Sequence, residues 1–466
     1  MRSNHELRRM AVAVAGALLF SATHMAMADT TDDLLKKLHD KGVLTDEEYD
    51  QFNTVRDTEK VKKTEGLNVK FKDGIVIESA DKQHSVSFNG RVQLDYRTFD
   101  GGAIDKGTAD TFDLRRAYMT MKGKMYNDYT WEVTWNASES KLDQAWFNVG
   151  WWEAANLRFG DFKMPMSIEE NTSSRFLDFQ ERSMLNSLVP GKEIGAMVHG
   201  TPFNGVYYAL AVSNGEGANA KESSNTNDSP DIIGRVNVNL AKILGDKNAV
   251  YHIGASFSNG HPGSPGTFAA PQNNPESKGY KWFSASAFNG TPERTRLGLE
   301  GIAAYGPLKF QGEWLRYNMD GKSTAGVSFD RDINAWYLAA NWMITGESYA
   351  DSYKTGGTFD RMKPKTDFIH PDAAASGWGA WETGLRYSKF DASDYKTTNA
   401  AGTGVLKAGY ANEADAWTAQ LKWILNPNLR WMLNFVRTDF DQDVTVVPGK
   451  TADHENALTT RVQFDF

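Results

Sequence analysis

The chain ends in the stretch Leu458-Thr459-Thr460-Arg461-Val462-Gln463-Phe464-Asp465-Phe466, which alternates from one residue to the next. Successive side chains of a strand point to opposite faces, so Leu458, Val462 and Phe464 share one face while Arg461 and Asp465 share the other. The pattern predicts a strand with one apolar and one polar surface. It closes on an aromatic residue, where a soluble protein usually frays. Two folds remain open at this point: a soluble β domain and a membrane barrel.

Residues 1–28 have the three parts of a secretory signal. These are basic residues at Arg2, Arg8 and Arg9, an apolar run from Met10 to Phe20, and a cleavage site at Ala26-Met27-Ala28. The mature chain is therefore expected to begin at Asp29 and to be exported. It contains no cysteine, which excludes a disulfide framework and a thiolate metal site.

Hydropathy alone does not decide between the two folds. The mean hydropathy is −0.52, and no apolar run of the mature chain approaches the roughly 18 residues that a membrane helix requires. Barrel strands alternate lipid-facing with lumen-facing residues, so their average is polar as well.

Residues 29–66 are predicted to form a short periplasmic helical hairpin ahead of the β-rich part. Leu34, Leu35 and Leu38 share a helical face, and Thr45 with Glu48 has the spacing of a capping box that opens a second helix. So narrow an apolar stripe cannot form a core alone. The hairpin would pack on copies of itself or under the barrel; a tether of marginal helicity is the alternative.

From about residue 67 onward, stretches in which apolar and polar residues alternate, as in strands, are separated by residues typical of turns. After a short β entry over 67–87, sixteen strands are expected, at 86–99, 111–122, 128–136, 142–152, 156–163, 193–201, 205–213, 229–241, 248–258, 293–304, 306–318, 330–343, 378–390, 414–426, 428–440 and 456–466. Their connections alternate between short turns and longer polar loops, as in outer-membrane barrels. Segments 319–329 and 441–455 are expected to be long loops. Segment 344–377 is long although it occupies a place where the alternation predicts a short turn.

These features predict an all-β fold for residues 67–466, a transmembrane antiparallel β-barrel of about sixteen strands. A stack of β-sandwiches would bury the apolar faces and expose the polar ones. A single closed sheet in lipid accounts for strands that keep one face apolar, and it leaves no unpaired edge.

Several motifs resemble one known family, the phosphate-selective porins O and P of Gram-negative outer membranes. They are Phe88–Tyr96, Leu114–Tyr118, Leu157–Lys163, Asn171–Arg175, Ile344–Glu347 and Gly357–Pro364. The resemblance covers most of the mature chain and implies a trimeric, sixteen-stranded porin in outer-membrane lipid that carries anions. Phe466 is expected to be the end recognised by the barrel-assembly machinery. No cofactor, metal or nucleic-acid partner is expected.

Met164–Lys192 is too long for a simple turn and is expected to fold into the lumen and set selectivity. An exposed surface loop is the alternative. The constriction candidates carry both signs of charge: Glu169, Glu170, Arg175 and Arg182.

Arginines that face the lumen are the expected anion contacts, because the guanidinium stays charged and offers a planar fork to oxyanions. The alternation of faces along each strand, which we call strand parity, predicts that five of them face inward: Arg91, Arg97, Arg294, Arg296 and Arg430. Arg115 and Arg116 are neighbours, and the resemblance implies that both serve the pore, through a bulge or a subunit contact. It also places Asp143 at an acidic position beside the family's anion site. Each arginine could instead simply pair with a carboxylate of the lumen.

The chain departs from the family pattern at two points. Phosphate-binding members carry a lysine where this chain has Glu170, and an arginine-rich run in the loop that corresponds to 259–292, where this chain has no arginine. A channel for small anions, phosphate or polyphosphate-like, is the leading hypothesis. A general or weakly cation-selective porin and a sugar-specific channel remain alternatives. The histidines show no catalytic spacing, so the chain is not expected to be an enzyme.

Overall fold

The structure is a computed structural model that describes residues 38–41, 45–52, 54, 66–71, 73–100, 109–215, 229–261, 266–372 and 376–466. The expected signal at 1–28 lies outside these residues. The chain divides into two compact units, Met1–Leu67 and Asn68–Phe466.

In the first unit the described residues are helical at 38–40 and 46–52. The second of these helices begins with the predicted capping box. The backbone N–H of Thr45 donates to Glu48 Oε2 (3.0 Å), and the N–H of Glu48 donates to Thr45 Oγ1 (3.3 Å). These bonds satisfy backbone donors that would otherwise have no partner at the start of a helix, and the predicted helix start is confirmed.

In the second unit, sixteen strands of the described part form one closed antiparallel barrel. They are β1 (Ser85–Phe99), β2 (Thr111–Met125), β3 (Tyr129–Asn136), β4 (Lys141–Trp152), β5 (Ala155–Lys163), β6 (Lys192–Phe203), β7 (Val206–Ser213), β8 (Asp231–Asn239), β9 (Ala249–Gly260), β10 (Phe288–Tyr305), β11 (Leu308–Lys322), β12 (Ser328–Met343), β13 (Ala380–Asp391), β14 (Glu413–Asn426), β15 (Leu429–Val447) and β16 (Lys450–Asp465). Each pairs with the next, and β16 pairs back onto β1 with Asp465 opposite Arg91. The predicted barrel and its strand number are confirmed.

Two short strands, Leu67–Phe71 and Ile75–Ser79, precede the barrel strands. The second of them pairs with the start of β1, where Ile75 lies opposite Phe88. The predicted β entry ahead of the barrel is thus present.

The alternation of the closing strand separates lipid from lumen. Leu458 is 45% exposed and Phe464 46%, whereas Arg461 and Asp465 on the other face are each 1% exposed. A soluble sandwich would show the reverse, with apolar side chains inside. An apolar outer surface and a polar interior are what a membrane barrel requires.

Two predicted loops are wrong. Segment 319–329 is largely strand, because β11 runs to Lys322 and β12 resumes at Ser328. Segment 441–455 is a hairpin in which β15 and β16 are separated only by 448–449. Backbone pairing between the strands extends into both stretches, in which buried side chains such as Phe329 and Val444 alternate with exposed polar ones.

The strand expected at 229–241 ends at Asn239, and Leu240–Leu244 forms a short helix. The Asn239 side chain caps this helix by accepting from the N–H of Ala241 (3.1 Å). Gly245 ends it with a φ of 78°, a conformation that glycine adopts without strain.

Long connections of the described part fold into the barrel. Residues 164–191 and the described part 266–287 of a later loop share one apolar core, in which Met184 and Leu185 pack with Trp282 and Phe283. Part of the segment 344–372 folds inward as well, and the centroid of the Phe359 ring lies 4.0 Å from the Lys309 ammonium of β11. These segments narrow the lumen and leave the cavity described below.

No helix in the part of the chain that the structure describes is long and apolar enough to cross a bilayer.

Candidate functional site

A cavity of about 360 Å³ lies in the lumen between the first inward loop, Met164–Gly191, and the wall formed by β1 to β7. We call this loop the constriction loop. The cavity is lined by eight basic side chains: Arg91, Arg116, Lys122, Arg158, Lys163, Arg175, Arg182 and Lys192. Three acidic side chains also line it, Glu132, Asp143 and Glu170. The lining carries an excess of five positive charges.

A wall carboxylate fixes the start of the constriction loop. Glu313 of β11 accepts the backbone N–H groups of Ile168 (2.8 Å) and Glu169 (3.0 Å). The Ser167 hydroxyl caps the same short helix, Ile168–Asn171, by accepting the N–H of Glu170 (3.2 Å). Glu313 and Ser167 thus fix the first turn of this helix, and they thereby fix the position of Glu170.

Basic side chains surround Glu170 inside the cavity. Its carboxylate lies 3.4 Å from Arg182 Nη1 and 3.9 Å from Lys163 Nζ, and it accepts from the Asn186 amide (3.2 Å). Burial alone would raise the pKa of Glu170, but the charges of Arg182 and Lys163 outweigh burial and lower it. Glu170 is therefore ionised, and its charge is balanced locally.

Glu169, the neighbouring candidate, is outside the cavity lining. Its carboxylate accepts from Arg386 of β13 (2.8 Å) and from the hydroxyl (2.6 Å) and N–H (2.9 Å) of Ser183. These contacts tie the constriction loop to the wall and to itself.

The other constriction candidates both line the cavity. Arg182 donates to the carbonyls of Glu169 (2.7 Å), Glu170 (3.2 Å) and Thr172 (3.3 Å) and so holds the turn closed. Arg175 donates to Asn89 Oδ1 (3.0 Å) of β1. Both guanidinium groups thus donate to neutral acceptors, and each also lies near a carboxylate, Glu170 for Arg182 and Asp465 for Arg175 (4.0 Å).

On the facing wall, Arg91 lies over the Tyr118 ring at 4.2 Å and donates to Ser173 Oγ of the constriction loop (3.3 Å). Asp143 is paired with Lys192 at 2.5 Å. The constriction loop and the wall together place these charges around one opening.

Arg115 and Arg116 reach the lumen through a β-bulge. Gln93 of β1 pairs with Arg116 and the next residue, Leu94, pairs with Leu114, so Arg115 is the extra residue. Arg115 Nε lies 2.9 Å and Arg116 Nη1 3.8 Å from Glu181 Oε1 of the constriction loop. The bulge lets two neighbours turn toward one carboxylate.

Two further arginines complete this cluster around Glu181. Arg461 lies 2.7 Å and Arg97 3.8 Å from the same oxygen. Burial would raise the pKa of Glu181, but the charges of Arg115, Arg116 and Arg461 hold it well below its ordinary value of 4.5. Glu181 is not among the candidates that the sequence pattern singles out.

The remaining predicted arginines face inward but lie outside the cavity lining. Arg294 pairs with Asp231, and Arg296 donates to the Leu188 carbonyl (2.7 Å). The Arg430 guanidinium lies 5.6 Å from the centroid of the Phe176 ring. Strand parity gives their direction, but it does not show which of them share one opening.

Sequence reasoning missed several cavity residues as candidates, among them Arg158, Lys163 and Lys192. Parity could have found Arg158, because it stands between Leu157 and Phe159, which are exposed on the outer face. Lys163 and Lys192 end and begin strands, where parity gives no firm direction.

A closed sixteen-stranded barrel with an apolar outer band and a charged, loop-narrowed lumen is the architecture of an outer-membrane porin. Residues 86–466 match the family described as phosphate-selective porin O and P, and the chain belongs to that family. It is thus a protein of the Gram-negative outer membrane. Family and fold indicate a channel rather than an enzyme.

The chain is also similar to individual proteins. It is 25% identical to Porin O of Pseudomonas aeruginosa over 439 residues, which cover 86% of this chain and 94% of that protein. Among solved structures, an anion-selective porin from Comamonas acidovorans matches 82% of this chain and 100% of its own, with 10% identity and a TM-score of 0.51. Outer-membrane expressed OmpT of Vibrio cholerae matches 82% of this chain and 98% of its own, with 8% identity and a TM-score of 0.50. These two share the fold.

Proposed function

We propose that the chain forms a water-filled channel for passive diffusion of small anions, with phosphate or polyphosphate-like oxyanions as the solutes. The excess of five positive charges around the cavity carries this proposal. All three acidic side chains of the lining already have basic partners: Glu132 with Lys122 (3.0 Å), Asp143 with Lys192, and Glu170 with Arg182. In a narrow lumen of low dielectric an excess of positive charge favours anions.

The contacts of Glu170 favour the anion channel over a cation-selective one. A free carboxylate at the constriction would attract cations, but this one has Arg182 and Lys163 beside it. Lys163 also donates to the carbonyl of Thr172 (3.1 Å). A lysine is therefore present at the constriction, supplied by the wall rather than by the loop.

Oxyanions suit the donors on both sides of the opening. Arg91 supplies a planar fork, Lys163 and Lys192 supply ammonium groups, and Ser173 adds a hydroxyl. Each of the three basic groups is held by a neighbour, so a permeating anion meets donors that are fixed in advance.

Reversal potentials in planar bilayers under a KCl gradient, with and without phosphate, test the proposal. We expect an anion-selective sign and a smaller chloride current when phosphate is added. Glu170→Gln removes one negative charge and is expected to increase the preference for chloride. A cation-selective sign for the native chain would overturn the proposal and leave the barrel fold untouched.

We further propose that three copies assemble in the membrane, that residues 1–28 are removed on export, and that 29–66 form a periplasmic segment attached to the porin domain, 67–466. Membership of the porin family supports the trimer. The mass of the complex extracted in mild detergent tests it, and a mass of one chain would contradict it.

A further inference from the structure

Arg158 differs from the other guanidinium groups that line the cavity. Each of those, Arg91, Arg116, Arg175 and Arg182, donates a hydrogen bond to protein. Within the residues that the structure describes, Arg158 makes no side-chain hydrogen bond and no ion pair, and its Nε is buried without a partner. A buried polar group without a partner is costly, so this guanidinium is suited to an acceptor that the protein does not supply.

Aromatic and apolar groups surround Arg158. Its Cζ lies 4.3 Å from the Trp146 ring centroid and 5.9 Å from that of Phe162. Met197, which is paired with Arg158 in register, and Tyr207 belong to the same lining. The guanidinium therefore rests on an indole face.

Two glycines lie next to Trp146 on the neighbouring strands. Trp146 of β4 is paired with Gly160 of β5, and Gly160 is paired with Gly195 of β6. The positions paired with Trp146 in register therefore carry no side chain on two successive strands, and the indole face is covered by Arg158. Gly160 has a φ of 121°, and a Cβ there would lie 2.3 Å from the Ala145 carbonyl oxygen. Glycine at this position is therefore required by the close approach of the β4 backbone.

We propose that Arg158 and Trp146 form a second anion subsite, specific for arylcarboxylates, in which a carboxylate is attached to an aromatic ring. The carboxylate accepts two hydrogen bonds in the plane of the guanidinium. Because the guanidinium stacks on Trp146, the aromatic ring of the ligand extends along the apolar wall of Tyr207 and Met197. Inorganic phosphate has no apolar part and gains nothing from this wall. The inference rests on the proposed anion pathway, because the ligand enters through the same lumen.

Block of single-channel chloride current by benzoate and by acetate tests the subsite, using the purified full chain in planar bilayers. The two anions carry the same charge and differ in the ring. We expect benzoate to half-block at a concentration about tenfold lower than acetate, which is the scale of one aromatic contact made by the added ring. Equal block by the two anions in the native chain overturns the subsite, and this comparison requires no variant.

Variants then locate the subsite. Trp146→Leu and Arg158→Lys are expected to remove most of the benzoate preference, because they remove the ring or the planar fork. Trp146→Phe keeps a ring and should keep the preference. Arg316→Lys, at an exposed arginine paired with Asp332 on the outer face, is the matched control and should leave the preference unchanged. A preference that survives both Trp146→Leu and Arg158→Lys overturns the assignment to these residues.

The reversal potential separates the two proposals. An anion-selective channel without benzoate preference leaves the proposed function standing and removes the subsite. A cation-selective channel that still prefers benzoate over acetate, in a manner sensitive to Trp146→Leu, removes the proposed function and keeps the subsite.

Discussion

At the scale of single residues, the lumen is held together by carboxylates that each serve several basic groups. Glu181 is the clearest example, with Arg115 at 2.9 Å, Arg461 at 2.7 Å and two more arginines at 3.8 Å. Removing one partner of a buried ion pair leaves an uncompensated charge, which is strongly destabilising. The stability of this cluster therefore depends on the carboxylate staying ionised.

We expect Glu181→Gln to destabilise the folded barrel by about 3–5 kcal/mol, because it leaves four arginines close together without their shared anion. This loss is measured by gel electrophoresis of samples heated to increasing temperatures, as the temperature at which the band of folded protein is replaced by the band of unfolded protein. Glu139→Gln, at an exposed carboxylate paired with Lys141, is the matched control and should shift that temperature little. Equal shifts for the two variants would contradict the role of Glu181.

The same cluster sets a pH dependence. The pKa of Glu181 is lower in the folded chain than its ordinary value of 4.5. Its contribution to stability is therefore fully present above pH 4.5 and is lost as the pH falls through the folded value. We expect the difference in conversion temperature between the native chain and Glu181→Gln to stay constant from neutral pH to about 5 and to shrink in stronger acid. A difference that shrinks between pH 7 and about 5 would contradict this assignment.

The last residue of the chain makes backbone contacts that do not require its ring. The N–H of Gly90 donates to the Phe466 carbonyl (2.7 Å), and the N–H of Phe466 donates to the Gly90 carbonyl (3.1 Å). Phe466 is 46% exposed, and the centroid of its ring lies 5.8 Å from that of Phe464. We propose that this exposed ring, which the two backbone bonds do not use, is recognised by the assembly machinery.

We therefore expect Phe466→Ala to lower the amount of folded barrel in the outer membrane of cells, while protein refolded in detergent keeps its single-channel conductance. Both backbone bonds survive the substitution, so closure of the barrel is preserved. Phe464→Ala, on the same outer face two residues earlier, is the control and should assemble normally. Equal loss of folded protein for both variants would argue against a special role of the last residue.

At the scale of elements, the strands and the inward fold of Met164–Lys192 could be predicted, whereas the contacts that hold the inward loops could not. Alternation is a local property of the chain, so each strand shows in its own residues, as at Leu157 and Phe159 around Arg158. The contacts that hold the loops join residues far apart in sequence and follow no period. Arg386 and Glu276, 110 residues apart, are an example.

The charged residues of the cavity could likewise be predicted only in part. Parity gives the inward direction of Arg91 but not its partner Ser173, which is 82 residues away. Glu170 has the residue type of a cation site, and only its contacts with Arg182 and Lys163 show that its charge is balanced. The direction of a side chain depends on neighbouring residues in sequence. The partners that balance its charge are set only when the barrel is assembled.

Arg386 of β13 holds two inward loops at once. Its guanidinium donates to Glu169 (2.8 Å) and to the Glu181 carbonyl (3.1 Å) of the constriction loop, and to Glu276 (3.1 Å) of the later loop. We expect Arg386→Gln to free both loops, which should appear as noisier single-channel current and a higher mean conductance. Arg437→Gln, at an exposed arginine of β15 paired with Asp439, is the control. Quiet channels of native conductance in Arg386→Gln would show that other contacts suffice.

At the scale of the whole molecule, net charge and pore charge have opposite signs. The chain carries a formal charge of −8, while the cavity lining carries an excess of five positive charges. Ions in the pore respond to charges within about one Debye length, which is roughly 10 Å at 0.1 M salt, 30 Å at 0.01 M and 3 Å at 1 M. The cavity charges therefore outweigh the distant surface at ordinary ionic strength.

This contrast predicts how selectivity changes with salt. We expect the ratio of chloride to potassium permeability, from reversal potentials at a fixed KCl gradient, to rise as the mean concentration falls from about 1 M to about 0.1 M. The reason is that screening of the cavity charges weakens as the Debye length grows from about 3 Å to about 10 Å. The double variant Arg91→Gln with Arg175→Gln removes two of the cavity charges and should flatten this dependence. Arg316→Gln with Arg437→Gln removes two outer-face charges as the control and should leave it intact. A permeability ratio that moves toward potassium over the same range would mean that the acidic surface governs the pore.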